Sequence, residues 1–476
     1  MNFKLLSLTA FAALVLTACG GGGAKPAESA ATAAAPVEAT RSTTGAVVDT
    51  ATRDQYREAL EAFDAHDKAA DWNDAACNAV ASKFADASDG GKLAEGTFNA
   101  GLAQQRCGNE AKAKEYFDKA LSADPNLHHA RVQSALYKYK ADNNINAAID
   151  ALQKAVLDAK FQNVPALVYL AMLQMRRDEA SSSEPAYNGT KQCNTDMECA
   201  RKNLTRALAI DDAYMPASNQ LGLYYLQNAR KAAGYGKAGA ATGGKRINAQ
   251  QLELAALVCA QAIRKNASYA PIHNTAGLVM MELGQMNGAV QEFGAAARLD
   301  PKLYEAQMNL AAVNLGFRGF DQAEAAYKRV VAMRPDDFEA HLGLALALRG
   351  QISDANYDAQ VAAVQAELDS AKKLGPTRPE PLYNEGILVQ EFKSKGLDQA
   401  KQIAVLEQAK GIYQQFLAKT ESRSDLEAAR KKSKDRIQDI DDTIQFLKMG
   451  DAAPEPAAAA PSPTAPPVPA APAATK

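Results

Sequence analysis

At 476 residues the chain is too long for one small domain; at roughly 100–200 residues per domain it would hold about three, unless it is built from repeats. Its 53 Lys and Arg against 55 Asp and Glu leave a net charge of −2, which supplies no field to draw in nucleic acid or anionic lipid. A mean hydropathy of −0.29 excludes several membrane spans, and one Trp and five His offer little material for an active site.

The chain opens on a predicted signal peptide, residues 1–18. Lys4 supplies a positive charge, and residues 5–16 (LLSLTAFAALVL) form an apolar run too short to cross a bilayer. The run ends in Leu16-Thr17-Ala18-Cys19, which resembles the lipobox of bacterial lipoproteins. That resemblance implies that Cys19 becomes the mature N-terminus, with diacylglyceryl on its thiol and an acyl chain on its freed amine. Two or three acyl chains anchor a protein durably where one does not. Gly20 rather than Asp follows the cysteine, and the likeness to Gram-negative lipoproteins then implies sorting to the outer membrane, facing the periplasm, with inner-membrane retention as the alternative. Residues 19–51, rich in Gly, Ala, Pro, Ser and Thr, predict a flexible tether. Residues 450–476 are Ala/Pro-rich and predict a disordered tail of polyproline II character.

Between them, over residues 52–449, the sequence aligns with itself at a 34-residue period. Ala100-Gly101, Ala113, Phe117, Ala120 and Pro125 occupy positions 7, 8, 20, 24, 27 and 32 of one block. Ala276-Gly277, Ala289, Phe293, Ala296 and Pro301 repeat it, and Leu310-Ala311, Ala323, Tyr327, Val330 and Pro335 follow in register. Small residues at 8 and 20 let two helices approach closely, the ring at 24 fills a gap, and the proline ends a helix. The pattern resembles the tetratricopeptide repeat (TPR) family. The resemblance implies an all-α, right-handed superhelical solenoid of about eight to nine helix pairs, closed by a capping helix whose stripe is Ile437, Ile440, Ile444 and Leu447. Extra residues at 178–197, 228–248, 350–360 and 391–402 each fall between the two helices of a pair, and so predict loops on one edge of the array.

Residues 239–246 (GAATGGKR) approach the phosphate-binding loop pattern, but Arg246 stands where Ser or Thr would hold Mg²⁺ and no strand precedes. Cys193 with Cys199, and Cys77 with Cys107, are candidate disulfides of an oxidising compartment, whereas Cys259 takes an aromatic position and predicts a buried thiol. No CxxC or adjacent His completes a metal set, and no cofactor is expected beyond the lipid on Cys19. His273 and His341, both at position 4, read as packing residues, and His128-His129 as a solvent-facing helix start.

Family geometry places positions 9 and 12 of each first helix on a concave groove. Carried over, these are Met172, Met175, Leu223, Leu226, Leu278, Met281, Ala312 and Leu315, an apolar, Met-rich set that suits an amphipathic helix or extended segment, unless it seals the helix pair instead. Chaperone-binding members clamp a carboxylate with Lys and Asn; here Asn219 and Asn274 sit at position 5 without the basic partners. The whole chain resembles the TPR lipoproteins of the myxobacterial adventurous gliding-motility machinery. That implies a non-enzymatic scaffold whose partners are periplasmic and outer-membrane components of a motility or assembly complex, with no nucleic acid and no small-molecule substrate. Pilotin-like and outer-membrane-protein assembly lipoproteins are alternatives of the same architecture, and a nucleotide-dependent enzyme is the alternative of a different class.

Overall fold

The computed structural model describes residues 42, 45, 47–69, 71–88, 93–182, 190–232 and 248–450. Cys19, the glycine-rich residues 239–246 and the segment 451–476 lie outside them. Every regular element among the described residues is helical, in antiparallel pairs: α1 (Thr50–Ala69) with α2 (Asp74–Asp86), α3 (Ala94–Arg106) with α4 (Glu110–Ala123), α5 (His128–Asp142) with α6 (Ile145–Asp158), and α7 (Val164–Arg177) with α8 (Asp196–Ile210). Next come α9 (Met215–Ala232) with α10 (Ala249–Lys265), α11 (Ala270–Glu282) with α12 (Met286–Leu299), and α13 (Tyr304–Gly316) with α14 (Phe320–Met333). The last are α15 (Phe338–Arg349) with α16 (Tyr357–Leu374), α17 (Glu380–Leu388) with α18 (Gln399–Lys419), and the closing α19 (Glu427–Gly450). The chain forms two compact units, one running to Ala306 and the other from Gln307.

Local chemistry sets these boundaries. Side-chain oxygens of Asn73, Asn144, Asn163, Thr195, Asn248, Asp337 and Asp398 each accept from the backbone N–H three residues on, satisfying one of the open donors of a helix start. Four turns between pairs are built alike: Asp124, Asp211, Asn266 and Asp300 each accept at 2.9–3.0 Å from the N–H two residues later. Within pairs, Gly108 and Gly284 take left-handed φ of 71° and 73°, where any Cβ would crowd the backbone.

The repeat register is a packing rule. Ala113, Ala289 and Ala323 at position 20 are fully buried, and so are the rings at position 24, Phe117 and Phe293. In the first unit each ring lies on the position-8 glycine of its own pair. A Cβ on Gly101 or Gly277 would fall 2.6 Å from a carbon of Phe117 or Phe293, inside van der Waals contact. Where Cys259 replaces the ring, its Sγ lies against Gly222 in the same way. In the second unit Tyr413 covers Gly386 likewise, and Ile440 and Ile444 of α19 close the last cluster of buried side chains.

Among the described residues two disulfides are present. Cys77–Cys107 ties α2 to the end of α3, and Cys193–Cys199 staples the segment leading into α8 to that helix. Cys259 is a buried free thiol that burial pushes up to about 12, so it stays protonated and unreactive at neutral pH.

Candidate partner-binding surface

Within the first unit α5 packs on α7, α7 on α9 and α9 on α11, so these first helices stack on one another. The structure divides the eight groove residues. Met175 and Leu226, 6% and 2% exposed, belong to the core of the first unit and are out of a partner's reach. Met172, Leu223, Leu278 and Met281 are half-buried in the same unit. Leu278 packs on the α9–α11 cluster, and Leu223 bridges it to the preceding one. In the second unit Leu315 is half-buried and Ala312 exposed. Met172, Leu223, Leu278 and Met281 therefore remain as the accessible apolar set, because stacking of α7 on α9 seals whichever side chain points along the contact.

Charge borders this surface more closely than the sequence suggests. Arg230 of α9 pairs with Glu282 of α11 at 2.6 Å, one residue beyond Met281, and Lys231 pairs with Asp178 at the end of α7. Asn219 accepts from the Thr275 hydroxyl at 2.7 Å in the buried interior, so that position-5 amide holds helices together and is not free for a ligand.

Four of the five histidines separate into two kinds. His273 Nδ1 lies 2.6 Å from Glu292 and its Nε2 2.9 Å from the Ala267 carbonyl; His341 repeats this with Glu367 and the Pro335 carbonyl at 2.6 and 3.0 Å. Each ring clasps the start of its first helix to its second helix and the preceding turn, a positioning role that repeats in both units. His128 and His129 are half-buried and not solvent-facing as their place at a helix start suggests, because the Phe98 ring approaches His129 at 6.0 Å. Burial, with the neighbouring His128, pulls the His129 imidazole down to about 4.

A histidine whose folded pKa is depressed binds its proton more readily unfolded. Stability from neutral His129 is therefore present above its ordinary value of 6.5 and is lost as pH falls from there towards 4. His129→Gln is expected to remove about 2 kcal/mol of the acid sensitivity between about pH 7 and pH 4.5. Urea midpoints of both proteins at the two pH values measure it, and equal drops would assign the sensitivity to other groups.

Among the described residues no helix is long and apolar enough to cross a membrane, and no three His, Cys, Asp or Glu side chains group as metal ligands. One groove feature escaped the sequence reading. Continued past Leu315, position 12 becomes Arg349 and then Gln390, so the apolar series turns polar in the second unit.

No curated protein matches the chain. Similar solved structures include TTC0263, a thermophilic TPR protein of Thermus thermophilus, 24% identical with a TM-score of 0.36 over 47% of this chain and 99% of that one. A tetratricopeptide repeat protein from Parabacteroides merdae is 13% identical with a TM-score of 0.34, over 62% of this chain and 98% of its own. YrrB, described as a TPR protein with an unusual peptide-binding site, is 16% identical with a TM-score of 0.32, over 50% of this chain and 98% of that one. Residues 94–127, which hold α3 and α4, match the tetratricopeptide repeat family, and the chain is an all-α protein that carries TPR-type helix pairs.

Proposed function

We propose that this chain is a lipid-anchored adaptor that holds proteins of a cell-envelope complex together by surface contact. The observation that carries it is the row of half-buried apolar side chains on stacked first helices, Met172, Leu223, Leu278 and Met281, bordered by the Arg230–Glu282 pair. Such a surface offers contact area with no chemistry attached, which fits an amphipathic helix or extended segment. Placement outside the cytoplasm is supported by the two disulfides, which persist in oxidising compartments. Placement at the outer membrane, facing the periplasm, and a role in the gliding-motility machinery rest on the lipobox and the likeness of the whole chain to those lipoproteins.

Two experiments test the reading. Cys19→Ala is expected to abolish acylation and release the protein from membranes, since Cys19 is the sole thiol at the signal cleavage site; radiolabelled palmitate entering the variant would refute the anchor. Leu278→Glu combined with Met281→Glu is expected to reduce partner capture from crosslinked envelopes by about tenfold or more. Each carboxylate must shed water as a partner docks, and Arg230 is already committed to Glu282. Circular dichroism confirms that helicity is retained. Undiminished capture at full helicity would remove the groove from consideration.

A further inference from the structure

The second unit contains an arginine whose pairing is incomplete. Arg349 closes α15 at position 12 and is half-buried. Its Nη1 donates to Asn384 Oδ1 at 2.9 Å, and Asn384 in turn donates from Nδ2 to the Glu380 carbonyl at 2.9 Å, which fixes the amide with its oxygen towards the guanidinium. Nε and Nη2 have no acceptor among the described residues, and neither is sealed from solvent. Those two nitrogens form the edge of the guanidinium that matches a carboxylate with two parallel hydrogen bonds.

At other arginines of this chain a carboxylate fills that edge. Arg106 presents it to Asp67, Arg177 to Asp196, and Arg423 to Asp425, with distances of 2.6–2.8 Å. Around Arg349 the charges do not balance. Arg436 of α19 donates to Gln390 at 3.0 Å and pairs with Glu391 at 2.7 Å, and Tyr413 donates to the same Gln390 oxygen. Glu391 and Arg436 both act on Arg349, and Glu391 is already paired with Arg436. Gln390 and Glu391 sit in a π-helical turn, Val389–Lys393, that widens the end of α17; such turns are frequent at functional sites. A cation complementing the end of its own helix would account for the charge of Arg349 but not for the amide that orients it.

We propose that the Nε/Nη2 edge of Arg349, backed by Arg436, receives a carboxylate carried by an acidic polypeptide segment. The inference rests on the adaptor reading and deepens it, since it gives the partner a chemistry. Burial of the guanidinium, which draws its pKa below the usual arginine value, makes a carboxylate more favourable there than at the surface. The segment comes either from a partner or from this chain's own residues 451–476, which contain Asp451 and Glu455.

The test uses the full chain and ¹⁵N spectra of arginine Nε–H groups, with the Arg349 resonance assigned from its loss in Arg349→Lys. The probe is the amidated pentapeptide acetyl-Ala-Ala-Glu-Ala-Ala, with Gln in place of Glu as control, up to about 10 mM. A saturable shift of the Arg349 resonance by the Glu peptide alone is expected. Peptide affinity, followed by fluorescence of a labelled probe, should fall about tenfold or more in Arg349→Lys, which keeps the charge and loses the fork. Asn384→Ala, which leaves Arg349 in place but unoriented, should weaken it as well, so the conclusion does not hang on one variant's folding.

An Arg349 resonance that moves in a chain carrying Asp451→Asn and Glu455→Gln, with no peptide added, would name the chain's own segment as the source. No shift at the highest concentration in that doubly substituted chain, or an equal shift with the Gln peptide, would overturn the proposal. A chain that still captures envelope proteins while Arg349 ignores carboxylates would keep the adaptor reading and lose this one.

Discussion

Replacing Arg177 by Met is expected to lower the stability of the first unit by about 3–5 kcal/mol, because it strands a buried carboxylate. Asp196 is fully buried, and both of its oxygens accept from Arg177 at 2.8 Å, with the Glu179 N–H adding a third hydrogen bond. Arg177 also donates to Asn146 of α6, so one guanidinium ties α6, the end of α7 and the start of α8 across the 178–195 loop. The hydrogen bonds to Asp196 hold the guanidinium above its already high pKa, so it stays charged at any working pH. Urea unfolding followed by the fluorescence of Trp72, the sole tryptophan, and by circular dichroism measures the loss. Arg177→Met with Asp196→Leu should recover most of it, since an apolar pair of similar volume carries no stranded charge. A single variant that costs under about 1 kcal/mol would show that water reaches Asp196 after all.

The second large effect is expected at Phe293. Phe293→Ala removes a fully buried ring and should cost about 3–5 kcal/mol. The upper part of that range applies because the ring lies on Gly277, which has no side chain to move into the void. Phe117→Ala over Gly101 should give a similar loss, the geometry being the same. Urea midpoints read both. Two losses that differ several-fold would mean that the shared register does not imply shared packing.

Much of the fold is legible in the sequence for a reason these two rings illustrate. Phe117 meets Gly101, and Phe293 meets Gly277, sixteen residues away in each case and within one helix pair. Each pair packs on its chain neighbours, so the same spacing of small and aromatic residues recurs wherever the same contact does. The turns are legible on still shorter range, since Asp124, Asp211, Asn266 and Asp300 each bond two residues ahead. Cys259 could be read as a buried thiol from its place in the ring series alone.

What the tertiary structure alone decided concerns contacts between pairs and between distant helices. Position 12 is apolar at Met175, Leu226 and Met281 alike, yet the first two are sealed and the third is half-buried, because the stacking of neighbouring first helices determines which side chain points into the contact. His129 is pressed against Phe98, a residue of the preceding pair, which the solvent-facing reading of a helix start left out. Arg349 looks in sequence like any basic residue closing a helix. Its open edge is defined by Asn384 35 residues away and by Arg436, Gln390 and Glu391 on α19 and the π-helical turn, and no local spacing encodes their convergence. Local rules specify a helix pair because its contacts lie close along the chain; the site depends on side chains that only packing brings together.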